Sequence, residues 1–232
     1  MRFLRCAPLV MAAWGAAGLL GGAQDPLQAV FSRIDQSAAT FKGFTADIKR
    51  VTYHHILPDE PDIQTGTIVV RRAKPHELQM RIDINPPDAE RVVVDSSKAE
   101  IYYPKTNSIQ PVLFGKENKG LVEQLLLLGF GSTSQELQST YEVTYGGPET
   151  VGGEKTVRIE LAPKTAQVKE QLQRAELWIS SSNGLAIQQK FYLKGGEDYT
   201  TVTLSNIKLK PIAESAVKLD APKDARREKP LR

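Results

Sequence analysis

The sequence contains almost no cysteine. Its only cysteine, Cys6, precedes an apolar run near the start of the chain and lies outside the body of the sequence. A disulfide framework is therefore excluded, and a folded domain must be stabilised by a hydrophobic core. The 232 residues are enough to bury such a core in a single large β-rich domain.

A strong charge of one sign is also missing. The 30 Lys and Arg residues are nearly balanced by 27 Asp and Glu residues, which leaves a formal net charge of +3. Such a balance provides no electrostatic footprint for a polyanion, so we expect no nucleic-acid partner. Beyond the N-terminal segment, no run is apolar enough to span a bilayer.

Residues that perform catalysis or bind metals do not form a recognisable motif. His54 and His55 are adjacent in a predicted turn, and His76 is isolated, which is not the spacing of a metal site and favours a surface role. No Gly-x-Ser-x-Gly elbow occurs. The segment Gly152-Gly153-Glu154-Lys155-Thr156 breaks the order of a phosphate loop and favours a hairpin. We therefore expect a protein that is not an enzyme and that uses no metal or cofactor.

The first 23 residues have the form of a secretory signal peptide. Arg2 and Arg5 precede an apolar run over residues 7–20, and small residues follow up to Ala23. The apolar run is shorter than the roughly twenty residues of a typical membrane span. We expect export, cleavage near Ala23 and a folded domain over residues 24–221.

Hydrophobic periodicity predicts one helix followed by many strands. Residues 25–41 place Val30, Phe31 and Ile34 at helical spacing. Period-two segments then recur up to residue 113 and again over residues 141–210, with no helix between successive strands. This spacing favours an α+β fold built on an antiparallel meander that curls. The charged, Pro-containing residues 222–232 are expected to form a disordered basic tail.

A leucine-rich segment, residues 120–131, separates the two groups of strands. On a helical wheel most of its leucines fill one broad arc, while Leu127 lies opposite. An isolated helix of about eight residues is marginal in water, so this segment must dock on an apolar surface. We expect a short lid helix over a concavity made by the strands, and we expect function to lie in its displacement.

The apolar surface under this lid is predicted from the alternation of the early strands. In this hypothesis, lid leucines compete with a ligand for the face. The alternative is a permanently closed core, because apolar faces are usually buried for good. The candidate residues are Leu125, Leu126 and Leu128 on the lid, and Phe44, Ile48, Ile68, Val70, Leu78, Met80, Ile82, Val92 and Val94 on the face.

Arg72 shares the parity of Ile68 and Val70 and would point toward the apolar face. A guanidinium in that position needs acceptors, and the unpaired carbonyls that end a short helix are suitable ones. In the alternative interpretation, Arg72 only extends to solvent at the end of the strand, with Arg71 outside.

Several motifs occur in an order that is similar to that of one known family, the periplasmic outer-membrane lipoprotein carriers (LolA-like proteins). The resemblance rests on the order of these motifs behind an export signal and not on any one of them. The leucine-rich segment and the late hairpins are also in place. The motifs are Phe44-Thr45-Ala46-Asp47-Ile48, Gly66-Thr67-Ile68-Val69-Val70-Arg71-Arg72, Val92-Val93-Val94-Asp95, Ile101-Tyr102-Tyr103-Pro104 and Val217-Lys218-Leu219-Asp220-Ala221-Pro222.

The resemblance implies an incomplete antiparallel β-barrel of about ten to eleven strands, capped by the N-terminal helix and the leucine-rich lid. Its hydrophobic cavity would hold the acyl chains of lipoproteins. The monomeric carrier would take them in the periplasm from an inner-membrane ABC-type release complex and pass them to an outer-membrane acceptor. A basic residue that ends the second strand bonds the closed lid in that family. This position corresponds to Arg72, although two residues inserted before Pro75 leave Arg71 as the other choice.

Two further alternatives stay open at this point. Arg50, where the family commonly has Gln, either binds the part of a cargo next to its lipid or reaches solvent. A lipid- or lipoprotein-sensing regulatory module of the same fold is the alternative function. An enzyme acting on lipid or cell-wall substrates is disfavoured because no catalytic constellation is present.

Overall fold

One helix precedes the sheet. The computed structural model describes residues 25–75, 77–95, 97–114, 128–193, 195 and 197–231. Helix α1 spans Pro26–Thr40 and begins where the Asp25 carboxylate accepts a hydrogen bond from the amide of Leu27. Its buried stripe, Val30, Phe31, Ile34 and Ala38, has the predicted helical spacing.

Twelve strands of the described chain form one sheet. Their spatial order is β12-β6-β5-β4-β3-β2-β1-β11-β10-β9-β8-β7. The strands are β1 (Gly43–Tyr53), β2 (Asp62–Lys74), β3 (Glu77–Ile84), β4 (Glu90–Val94), β5 (Lys98–Tyr103), β6 (Ser108–Leu113), β7 (Tyr141–Val151), β8 (Glu154–Pro163), β9 (Leu172–Ser180), β10 (Ala186–Leu193), β11 (Tyr199–Leu209) and β12 (Arg226–Arg227).

Adjacent strands are antiparallel, except that β12 runs parallel to β6. Strands β12 and β7 are the two ends of the order, so the sheet does not close. The prediction of an α+β fold with an incomplete antiparallel barrel is confirmed as an open sheet with a few helices.

Short helices occur where the sequence carries start signals. Helix α2 (Ser134–Thr140) begins with a capping box between Thr133 and Glu136. Helix α3 (Ala166–Lys169) joins β8 to β9. The Gly152-Gly153 segment forms the turn between β7 and β8, as predicted.

The apolar residues on the inner face of the sheet divide into two buried clusters. The α1 cluster joins Val30, Phe31 and Ile34 to strands β7 to β10. The β1–β3 cluster lies on the other half of the sheet. Its members are Phe41, Phe44, Ala46, Ile48, Ile68, Val70, Leu78, Met80, Phe130, Leu185 and Leu204.

The C-terminal tail pairs with β6 at the edge of the sheet, which corrects the expectation of disorder for residues 222–232. The amides of Arg226, Glu228 and Leu231 donate to carbonyls of β6 and the residue before it, at 2.9 Å each. Arg227 also donates to the Glu100 carboxylate at 2.6 Å. Composition misled the prediction, because backbone pairing to an edge strand does not require an apolar sequence.

This tail also changes the electrostatics of Glu100. Burial alone would raise the pKa of the Glu100 carboxyl, but hydrogen bonds from Lys98 and Arg227 hold it below its usual range. The carboxylate is 11% exposed, so its partners matter more than those of a surface ion pair.

Deleting residues 222–232 should uncover the β6 edge. Net contributions of about 0.5–1.5 kcal/mol per backbone hydrogen bond give an expected loss of about 2 kcal/mol in the free energy of unfolding. Hydrogen exchange over residues 108–113 should accelerate at least tenfold. Arg226→Ala is the matched control, because this side chain is 73% exposed. Unchanged exchange in β6 after the deletion would contradict the pairing.

Candidate functional site

The predicted apolar face is assembled by the strand register. Phe44 pairs with Val70, Val70 with Met80, and Met80 with Val94, so these side chains share one face. Ile82 and Val94 are half-buried and pack against the β1–β3 cluster. Val92 is also half-buried. The remaining predicted residues of the face are buried members of the cluster: Phe44, Ile48, Ile68, Val70, Leu78 and Met80.

Aromatic side chains from outside the strands cover this face. The ring of Phe130 lies 5.2 Å from that of Phe44, measured between centroids, and Phe41 lies 6.1 Å from Phe44. Phe130 lies near the end of the leucine-rich segment, and it is 5% exposed. Within the described residues, the cover of this face therefore consists of the aromatic rings of Phe41 and Phe130.

The placement of Leu128 departs from the prediction. Leu128 is buried in the α1 cluster, whereas the prediction assigned it to the face of Ile68 and Val70. Leu125 and Leu126 lie outside the described residues. Phe130, which the sequence analysis did not select, takes the position expected of a lid residue.

The segment that carries Phe130, residues 128–132, is termed the stem. The Gln189 side-chain amide donates to the Leu128 carbonyl at 3.0 Å, and the Ala186 amide donates to the Gly129 carbonyl at 3.2 Å. Gly129 and Gly131 have φ angles of +86° and +77°. Only glycine adopts this left-handed conformation without strain, and the two turns direct Leu128 and Phe130 into different clusters.

Arg72 joins the stem to the end of α1. Its Nη2 donates to the Gly131 carbonyl at 2.5 Å, and its Nη1 donates to the Ala38 carbonyl at 2.8 Å. Ala38 lies in the last turn of α1, where carbonyls lack helical partners and attract cations. The guanidinium carbon also lies 5.3 Å from the centroid of the Phe41 ring. One side chain thus contacts three parts of the cover.

The geometry distinguishes the two adjacent arginines. Arg71 points to the outer face, where it donates to the Ile212 carbonyl at 3.2 Å and to Gln79 at 2.8 Å. Arg72 alone of the pair contacts the stem. Burial lowers the pKa of the Arg72 guanidinium and the charge of Glu136 opposes this change, so the group stays protonated at neutral pH.

A second arginine marks the opposite end of the inner face. Arg50 Nε donates to the Gln64 side-chain oxygen at 2.7 Å, and Arg50 Nη2 lies 3.2 Å from a Glu90 carboxylate oxygen. The side chains of Arg50 and Glu90 are 36% and 18% exposed. Arg50 therefore contacts two side-chain acceptors. The sequence did not predict these contacts because the acceptors lie on other strands, β2 and β4.

The histidines that the structure describes lie at the surface. His54 contacts Asp62 at 2.9 Å, and this hydrogen bond raises the pKa of the imidazole above its ordinary value. His55 contacts Glu197 at 3.2 Å. His76 is outside the described residues. Within the part of the chain that the structure describes, no group of three or more His, Cys, Asp or Glu residues could hold a metal ion.

No helix among the described residues is long and apolar enough to cross a membrane. A family model described as "Uncharacterized protein" matches residues 98–218, which is more than half of the sequence. The chain belongs to this family. No curated protein matches the chain in sequence.

Solved structures match the fold at low identity. A conserved protein from Thermus thermophilus is 12% identical, with 88% of this chain and 99% of that chain covered and a TM-score of 0.55. MucB is 14% identical, with a TM-score of 0.50; the match covers 84% of this chain and 62% of MucB. A LolA superfamily protein from Nitrosomonas europaea is 12% identical, with a TM-score of 0.41; the match covers 83% of this chain and 97% of that chain. The matches to the Thermus thermophilus protein and to MucB show that this chain shares their fold.

Gly131→Ala is expected to break the contact between Arg72 and the stem. A Cβ atom there would lie 2.2 Å from Arg72 Nη2 and 3.0 Å from Phe41 Cδ1. The variant would lose a charged hydrogen bond and also strain the left-handed backbone. Together these effects should lower the free energy of unfolding by about 2–4 kcal/mol in urea denaturation.

Gly153→Ala is the matched control for this measurement. Gly153 has a similar φ of +85°, but a Cβ atom would meet nothing within 4 Å. The free energy of unfolding of this variant should fall by only about 1–2 kcal/mol, because only the strain in the left-handed backbone is added. Equal losses in the two variants would show that the Arg72 contact contributes nothing.

Proposed function

We propose that this protein is a periplasmic carrier that shields the acyl chains of lipoproteins while they move from the inner to the outer membrane. The observation that supports the proposal most strongly is the contact of Arg72 with the Gly131 carbonyl, at the end of the stem that places Phe130 on the apolar inner face. A cover such as the stem, attached in this way, can leave the face while the strands of the sheet stay paired.

The energetics of acyl chains explain why such a cover is needed. Exposing a chain of sixteen carbons to water costs roughly 12 kcal/mol, at about 0.8 kcal/mol per methylene. A carrier must protect these chains and still release them. Phe130 and Phe41 replace acyl chains on the face around Phe44, so closing the cover recovers part of the burial when cargo leaves.

Arg72 is the latch in this proposal. In the closed arrangement its two amino groups bond the α1 end and the stem, and its partly desolvated charge needs both acceptors. When the stem leaves, the guanidinium loses the Gly131 carbonyl and must find water or a polar group of the cargo. This requirement stabilises the closed arrangement until water or a polar group of the cargo replaces the lost acceptor.

The sites of uptake and delivery follow from the resemblance to the carrier family. Export by a signal peptide cleaved near Ala23 would bring the monomeric chain into the periplasm. An inner-membrane ABC-type complex would load it with lipoproteins, and an outer-membrane acceptor would receive them. No catalytic step is required, because binding and release complete the task.

A regulatory module of the same fold is the second candidate. Its support is the match to MucB, of which this chain spans 62%. Such a module would bind a lipid or a mislocalised lipoprotein and change its contact with one membrane protein. A sensor should therefore co-purify with that protein, whereas a carrier should co-purify with many lipid-modified proteins.

The carrier proposal is tested by release from spheroplasts with labelled lipoproteins. Adding the purified mature chain should move labelled lipoproteins into the soluble fraction as a complex with it. Ile82→Gln, on the half-buried inner face, should reduce the soluble complex at least tenfold, because the amide must be desolvated against an acyl chain.

Val69→Gln is the matched control, since Val69 is half-buried on the opposite face of β2. It should release as much lipoprotein as the original chain. No release by a folded protein with an active release complex would contradict carriage. Equal losses in the two variants would contradict the assignment of the inner face.

A further inference from the structure

The two ends of the inner face differ in how far they open to solvent. Phe44 and Val70, next to the latch, are 0% exposed. Six residue pairs further along the same ladder, Arg50 faces Gln64, and the Arg50 side chain is 36% exposed. An amphiphile that lies on this face would therefore place its apolar end near Phe44 and its polar end near Arg50.

Three strands bring polar groups together at this open end. Arg50 on β1 contacts Gln64 on β2 and Glu90 on β4, and all three lie on the inner face. Gly66 lies between Ile48 and Ile84 in the register and has no side chain to separate Arg50 from Glu90. The cluster of Arg50, Gln64 and Glu90 is termed the polar gate.

The polar gate has no net charge but offers both donors and acceptors. Arg50 uses Nε and Nη2 within the cluster, and among the described residues its Nη1 has no partner. The second carboxylate oxygen of Glu90 and the amide nitrogen of Gln64 are likewise without partners in that part of the chain. Ester and amide carbonyls can accept from these donors, and a peptide N–H can donate to Glu90.

We infer that the polar gate binds the neutral junction of the cargo, where ester and amide groups join acyl chains to a polypeptide. This inference rests on the proposed function and names the part of the cargo that the site recognises. An anionic end, such as a fatty-acid carboxylate, would also approach Glu90, and like charges at short range repel. The gate thus favours acylated polypeptides over free fatty acids, which present the same chains.

A purely structural role would give the gate no influence on ligand choice. In that alternative, Arg50 only ties β1 to β2 and β4, and removing it changes stability alone. Selectivity between two ligands of the same chain length distinguishes the two roles, because a change in protein stability weakens the binding of both ligands equally.

The test measures displacement of the neutral fluorescent probe N-phenyl-1-naphthylamine by monolaurin and by laurate at pH 8. Monolaurin supplies a neutral ester, and laurate supplies a carboxylate on a chain of equal length. We expect Glu90→Gln to improve laurate binding relative to monolaurin at least tenfold, because the carboxylate then meets an uncompensated Arg50. Arg50→Gln should shift the ratio at least tenfold the other way.

Lys49→Gln is the control. Lys49 is exposed on the outer face of β1, so this substitution removes one positive charge without changing a contact of the polar gate. It should leave the ratio unchanged. If Glu90→Gln does not fold, Arg50→Gln alone decides the outcome. Ratios that stay constant in folded variants that bind the probe would overturn the role of the gate. If no amphiphile displaces the probe even from the original chain, the proposed function itself fails.

Discussion

An open sheet has an apolar face that one helix cannot cover, and the rest of this structure depends on that constraint. Helix α1 has 15 residues and is about 22 Å long at 1.5 Å per residue. Twelve strands spaced by about 4.8 Å extend over roughly 50 Å. The helix buries the half formed by β7 to β10, so the half around β1 to β3 needs a second cover.

The second cover is built from aromatic rings and fixed by a charge. Phe41 extends α1 over the face, and Phe130 reaches it from the stem. Arg72 holds both pieces through the carbonyls of Ala38 and Gly131. Because a desolvated guanidinium is costly without acceptors, loss of one piece weakens the attachment of the other. The latch therefore couples the helix end to the stem.

Local periodicity was enough to predict which side chains share a face. The alternation of Phe44, Ile48, Ile68 and Val70 predicted the face correctly because the period of a strand is two. The same parity predicted that Arg72 points inward. The open antiparallel sheet and α1 followed from patterns that extend over several turns or strands.

Contacts that depend on turns or on distant strands could not be predicted in this way. The left-handed turns at Gly129 and Gly131 direct Leu128 away from the face and bring Phe130 onto it, and no helical wheel continues through them. The backbone pairing of the tail with β6 is invisible to composition. The partners of Arg50 are known only once β1, β2 and β4 are aligned.

Photo-crosslinking in cells shows whether the inner face of β1 to β4 receives acyl chains. A photoreactive amino acid replaces Met80, which is 5% exposed on that face, or Thr67, which is exposed on the outer face. If acyl chains lie on the inner face, lipoproteins are captured at position 80 and none at position 67. Absence of lipoproteins at position 80, or equal capture at both positions in a folded protein, would contradict it.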